Sequence, residues 1–287
     1  MNEPTYEEIQ QEELTYEQVQ QVKYELWSTT SDAQFEEALP HQRIVAEGDS
    51  WFDYPVGLDI LDHLKRDYPY EIFKVAEAGD TLENMVYGTK FGSNFSRSTP
   101  PIETTLRAIE QHQPSVFLFS GGGNDIAGPE LASYLNHKDS SLPTLREEYV
   151  NYSFSTVAKS SYTDLIRLIT NANPDIHMIS HGYGHAIPDG RSVRFAWVRF
   201  AGPWLRPTLV RKNIIEAQES RILIKSLIDR FNGVLQELDK ENANFHYLDL
   251  RPHISDADWT NELHLYNHAY RRVAEKFHEA IQQFVGS

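Results

Sequence analysis

Five short apolar runs limit what this chain can fold into. Residues 43–48, 70–76, 116–119, 176–179 and 244–248 each read as a strand, short and mostly apolar, with 116–119 wholly so. Each is followed, after a turn or loop, by a stretch with apolar residues at helical spacing: 58–67, 82–87 with 102–112, 149–170, 214–238 and 267–284. Strands alternating with helices predict an α/β fold, a three-layer α/β/α arrangement around a doubly wound, five-stranded parallel sheet. In the long 149–170 segment the inward positions are expected to be Val157, Leu165, Ile166 and Ile169. Residues 88–101 are polar and Ser-rich and read as a surface loop.

The chain has 287 residues, 40% of them hydrophobic, enough for one sizeable core. Its net charge of −16 is uneven, because residues 1–40 hold ten acidic side chains and one lysine. The expectation is an acidic helical arm over 1–40, carrying the near-repeat Thr5-Tyr6-Glu7-Glu8-Ile9 and Thr15-Tyr16-Glu17-Gln18-Val19, with a single domain over 41–287. The arm either lies solvated at the periphery or docks and self-associates. An acidic chain does not neutralise phosphates, so nucleic acid is excluded as a partner. No window of 18 apolar residues predicts a membrane span. Met1-Asn2-Glu3-Pro4 has no basic start or apolar run, and a cytoplasmic location is expected. With no cysteine, disulfides and thiolate chemistry are out.

In a parallel sheet the segments that follow the strands share one edge, and ligands bind there. That edge gathers Ser50, Gly79, Asn124, His181 and His185, and after a further loop His264. A serine nucleophile needs a histidine base and donors aimed at an oxyanion. The backbone N–H groups of Ser50 and Gly79 and the side-chain amide of Asn124 can be those donors. His253 and His268 rival His264 as base, although His268 opens the last helix and reads as a surface or packing residue.

Gly48-Asp49-Ser50, Gly79, Gly122-Gly123-Asn124-Asp125 and His264, in this order and each beyond an expected strand, resemble the four blocks of the SGNH (GDSL-type) hydrolases. The resemblance spans roughly residues 43–284. It implies a flavodoxin-like sheet and an esterase, lipase, deacetylase or thioesterase activity. It also implies Ser50 as nucleophile, His264 as base, and Ser50, Gly79 and Asn124 as the oxyanion hole. The family's aspartate three residues before the histidine is Asn261 here, its usual proline after the histidine is Leu265, and Trp51 stands where leucine is common. An asparagine orients a histidine by accepting from Nδ1–H but offers the imidazolium no charge. Asn261 is expected in that place, with Asp258 or Asp256, or a Ser-His dyad, as alternatives.

The stretch 183–207 is too long for a plain connection and reads as an insert. It carries Trp197, Trp204, Arg191, Arg194, Arg199 and Arg206. Two readings stand side by side. One is a lid or acyl-side wall recognising an anionic or sugar-bearing substrate. In the other, the tryptophans pack on the body while the arginines pair with the arm. Trp51, His181, Tyr183 and Trp204 are the candidate substrate-binding residues. His181 and His185 are four apart, but the glycines between them oppose a helix, so no metal site is expected there, and no cofactor. The sequence thus predicts a serine hydrolase of carboxylic esters, with small-acyl or O-acetyl esters of small molecules or carbohydrates favoured by the polar loops. The alternative is a catalytically weakened binding or interaction protein on the same fold.

Overall fold

The five apolar runs pair into one parallel sheet. The computed structural model describes residues 42–195 and 198–285, so the acidic arm and Trp197 lie outside the described residues. In chain order the elements are β1 (Gln42–Gly48), α1 (Ile60–Asp67), β2 (Tyr70–Lys74), α2 (Leu82–Tyr87), α3 (Pro101–His112) and β3 (Val116–Ser120). They continue with α4 (Leu131–Tyr134), α5 (Glu147–Tyr152), α6 (Lys159–Ala172), β4 (His177–His181), β5 (Val193–Phe195) and β6 (Val198–Ala201). The last are α7 (Arg206–Arg211), α8 (Ala217–Glu241), β7 (Phe245–Leu248) and α9 (Asn267–Ile281). The sheet order is β2-β1-β3-β4-β7, every pair parallel. Helices cover both faces, which is why β3 is buried at every position and can be wholly apolar up to Ser120.

Two features depart from the sequence reading. Val157 is exposed, whereas Leu165, Ile166 and Ile169 are buried as expected. The cause is a π-helical turn over Ser153–Ala158 between α5 and α6. Its wider turn takes one more residue than an α-turn, so a helical period projected backwards from Leu165 puts the wrong side chain inward. The stretch 183–207, read as an insert without assigned elements, holds β5 and β6, an antiparallel pair, and runs into the short helix α7.

One core position carries an acid. Glu47 on β1 is almost wholly buried, accepts a 2.8 Å bond from Thr105 Oγ1 on α3, and leaves Oε1 with no partner. Burial raises its pKa from 4.5 to about 8, against the Thr105 bond, which lowers it. A carboxyl that holds its proton longer when folded loses stability as pH rises from its unfolded value towards its folded one. Glu47→Gln is therefore expected to flatten the fall in stability between about pH 4.5 and pH 8. Its gain over the parent at the alkaline end should be on the order of 4 kcal/mol in urea unfolding. A parallel pH dependence in both proteins would rule out a proton on Glu47.

No helix among the described residues is long and apolar enough to cross a membrane.

Candidate active site

Ser50 sits in the turn that leaves β1. The Asp49 amide extends the β1–β3 pairing by donating to the Ser120 carbonyl at 3.0 Å. The chain then folds back, with Phe52 N and Asp53 N both donating to the Asp49 carbonyl at 3.0 and 3.1 Å. Gly48 is needed there because a Cβ would come within 2.8 Å of the Ser120 carbonyl oxygen on the neighbouring strand. The Asp49 carboxylate is buried beneath the turn and is held by Trp51 N at 3.0 Å, Ser120 Oγ at 2.7 Å and the Tyr183 hydroxyl. Burial pushes its carboxyl above the usual range, and these three donors work against the shift. Asp49 thus fixes the serine's backbone from below and ties it to β3 and to the segment after β4.

His264 reaches Ser50 from the loop before α9. Its Nε2 lies 2.8 Å from Ser50 Oγ. Its Nδ1 lies 3.0 Å from Asn261 Oδ1, and the same oxygen accepts from the backbone amides of Leu263 and His264, each at 3.0 Å. Main-chain N–H groups cannot face an amide NH₂, so these two donors settle which end of Asn261 points at the ring. The Asn261 amide nitrogen turns the other way and donates to the Tyr54 hydroxyl at 3.3 Å. An acceptor at Nδ1 requires the proton there, which leaves the Nε2 lone pair directed at Ser50 Oγ. Asp258 is elsewhere: it accepts from Ser255 N and Oγ and pairs with Arg272. Partial burial raises its carboxyl, and those donors outweigh this and hold it well below the usual range. Asp256 pairs with Arg221.

The His264 ring is enclosed. Tyr54 stacks on one face with centroids 4.4 Å apart, and the Trp204 ring meets it edge-on at 5.4 Å. Burial pushes the imidazole down from 6.5 to about 3, and Asn261 supplies no charge to hold it up. The His264 imidazole is therefore neutral throughout the physiological range, the form with a lone pair that can take a proton.

The remaining blocks meet beside the serine. Gly79 follows β2 with φ +83°, a backbone that favours glycine. Asp53 ties this turn to the serine's, since it accepts from Ala78 N at 3.1 Å and pairs with Lys74. Asn124 Nδ2 donates to the Asp80 carbonyl at 2.8 Å, and Asp125 Oδ2 accepts from Leu82 N at 2.9 Å. These bonds lock the Asn124 amide next to the Gly79 turn and leave it a second N–H to offer.

Between Ser50 and the insert lies a pocket of about 50 Å³ with almost wholly apolar walls. Trp51, Tyr183 and Asn124 are among its lining, with Ala186 and Leu205 from the insert, Ile224 and Ile228 from α8, and Leu263 from the histidine loop. Of the candidate substrate-binding residues, Trp51 and Tyr183 line this pocket and Trp204 lies on His264. His181 does not belong to the site. It is fully buried beneath Trp51, whose ring stacks on it at 5.1 Å, and its Nε2 lies 2.9 Å from Ser120 Oγ. The last residue of a central strand points into the layer below the edge, which sequence order alone does not reveal. His185 pairs with Asp229, and no group of three or more potential metal ligands gathers among the described residues. Arg191 and Arg206 are spent on the protein itself. Arg191 donates to the Trp259 carbonyl and pairs with Asp189, and Arg206 donates to the Ile215 carbonyl at 2.8 Å. The site residues the sequence did not single out are Tyr54 and Glu262, whose roles depend on contacts across the fold.

No family model matches the sequence, and no curated protein matches it. Solved structures do. The chain is similar to the lipase Lip_vut3 from a goat rumen metagenome, at 15% identity and a TM-score of 0.53, over 83% of this chain and 97% of that one. The fold is that of the SGNH hydrolases. The periplasmic domain of a lipopolysaccharide acetyltransferase from Salmonella ser. Paratyphi A overlays at a TM-score of 0.51 and 10% identity, over 92% of this chain and 97% of that one. A family 3 carbohydrate esterase from Clostridium thermocellum overlays at 0.45 and 14%, over 85% and 98%. Within the SGNH fold the strand ends that carry Ser50, Gly79 and Asn124 belong to β1, β2 and β3, neighbours in the sheet.

Proposed function

We propose that the protein cleaves carboxylic esters of short acyl groups through an acyl-enzyme on Ser50. The observation that carries this reading is the 2.8 Å approach of His264 Nε2 to Ser50 Oγ, with Nδ1 held by Asn261. Ser50 Oγ attacks the acyl carbon while His264 Nε2 takes its proton. The oxyanion is met by the N–H groups of Ser50 and Gly79 and the amide of Asn124. The imidazolium then protonates the leaving alcohol, and water attacks the acyl-enzyme by the same route in reverse. The fold is shared with a lipase and an acetyltransferase, and the same intermediate can pass its acyl group to an alcohol in place of water.

The pocket favours a short chain. Its 50 Å³ is about a third of a cavity that accommodates benzene, roughly 150 Å³. That suits an acetyl or slightly longer acyl group and not a lipid tail. Small-molecule or carbohydrate esters, O-acetyl esters among them, are the substrates this supports.

A fluorophosphonate probe tests the nucleophile. It should add one phosphonyl group, located by peptide mass to Ser50, and labelling should vanish in Ser50→Ala. Labelling that persists in that variant would disprove the assignment. Full labelling with no turnover of any ester would favour the binding-protein alternative.

A further inference from the structure

Glu262 lies between Asn261 and His264 and is fully buried. Its carboxylate accepts four backbone N–H groups, all from the insert. Oε1 takes Gly190 and Arg206, each at 2.9 Å, and Oε2 takes Trp204 at 2.6 Å and Leu205 at 2.7 Å. Its own amide donates to the Arg191 carbonyl at 3.3 Å. The amides of 204–206 lie at the start of α7, where helix geometry gives N–H groups no intrahelical acceptor. A buried carboxylate is costly unless its lone pairs are filled, and here the insert fills them.

We infer that Glu262 is a positioning residue that fastens the insert on both sides of its β5–β6 pair, at 190–191 and at 204–206, to the loop bearing His264 and thereby sets the acyl-length limit of the pocket. The inference rests on the ester-hydrolase reading above. The two residues held most closely are those that matter for the site: Trp204 is placed edge-on against His264 and Leu205 is placed in the pocket wall. A carboxylate is required, because only two acceptor oxygens with two lone pairs each satisfy four donors. Glutamine keeps the shape but turns an NH₂ towards one pair of amides, so that pair loses its acceptor and the wall loosens.

The experiment compares the full-length protein with Glu262→Gln and Leu205→Ala. Two readouts are taken: amide hydrogen exchange at 190 and 204–206, and kcat and KM for p-nitrophenyl acetate, butyrate and hexanoate. In Glu262→Gln, exchange at one pair of these amides should accelerate at least about tenfold. The preference for acetate over hexanoate should fall at least about tenfold, mainly through a lower KM for the longer ester. Leu205→Ala should reproduce the altered preference without the faster exchange at Gly190. Unchanged exchange in Glu262→Gln overturns the fastening. A uniform loss of rate on all three esters, with the preference intact, overturns its control of acyl length. If Glu262→Gln does not fold, an unchanged preference in Leu205→Ala overturns the wall on its own. Should the parent hydrolyse none of the esters, the proposed function fails, and the exchange result still decides whether Glu262 holds the insert.

Discussion

Replacing Ser50 by alanine is expected to lower kcat on p-nitrophenyl acetate by about 10⁴–10⁶-fold, with KM changed far less. The size follows from what is removed. In the proposed mechanism Ser50 Oγ, 2.8 Å from His264 Nε2, is the atom that forms the acyl bond, and without it no acyl-enzyme forms and water must attack the ester directly. His264→Ala should fall within the same range, since a hydroxyl with no base is a poor nucleophile. The double variant should be no worse than either single one, because the two groups, 2.8 Å apart, act in one step. The remaining rate belongs to the oxyanion donors, which neither change touches. Independent, multiplying losses in the double variant would mean that the 2.8 Å contact is not a working pair.

The sheet was readable because its central strands β1 and β3 carry buried apolar runs, a consequence of helices on both sides, and because turns with Gly, Asp and Asn punctuate the strand ends. Positions at those ends were readable for the same reason: topology brings Ser50, Gly79 and Asn124 to adjacent strands whatever their side chains do. What escaped depended on geometry across the chain. Val157 was misplaced by one extra residue in a π-turn, which no helical period shows. His181 looked like a site residue because it ends β4, yet its side chain points beneath Trp51. Glu262 carries no signal of its own in the sequence, and only the folded insert supplies the four amides that its carboxylate accepts. Tyr54 stacks on a ring more than two hundred residues away in sequence. Local patterns locate elements and their ends, whereas the electrostatic setting of a base is made by whatever packs on it.

That setting leads to the second large effect. Asn261→Asp keeps the shape and keeps three N–H groups on Oδ1, but places a negative charge 3.0 Å from His264 Nδ1. The Tyr54 hydroxyl, which now accepts from the Asn261 amide, can reverse and donate to the new oxygen. In the parent, burial holds the imidazole near 3, so it is neutral and competent at all ordinary pH but a weak base with an uncompensated cation in the transition state. The aspartate stabilises that cation. At pH 8 kcat should therefore rise about 10–100-fold. The same charge favours the protonated resting form, and a base must be neutral to act, so activity is lost as pH falls through the raised pKa. The acid limb of kcat/KM should move up by about 1–3 pH units. Two opposite shifts in one variant make the profiles converge or cross on the acid side, with the parent keeping the larger share of its own maximum at pH 4.5. A change at Asn261 that merely disturbed packing would lower the rate at every pH and leave the limb in place. A pH–rate profile of both proteins separates the two, and an unmoved limb would show that Asn261 is not the group behind the base.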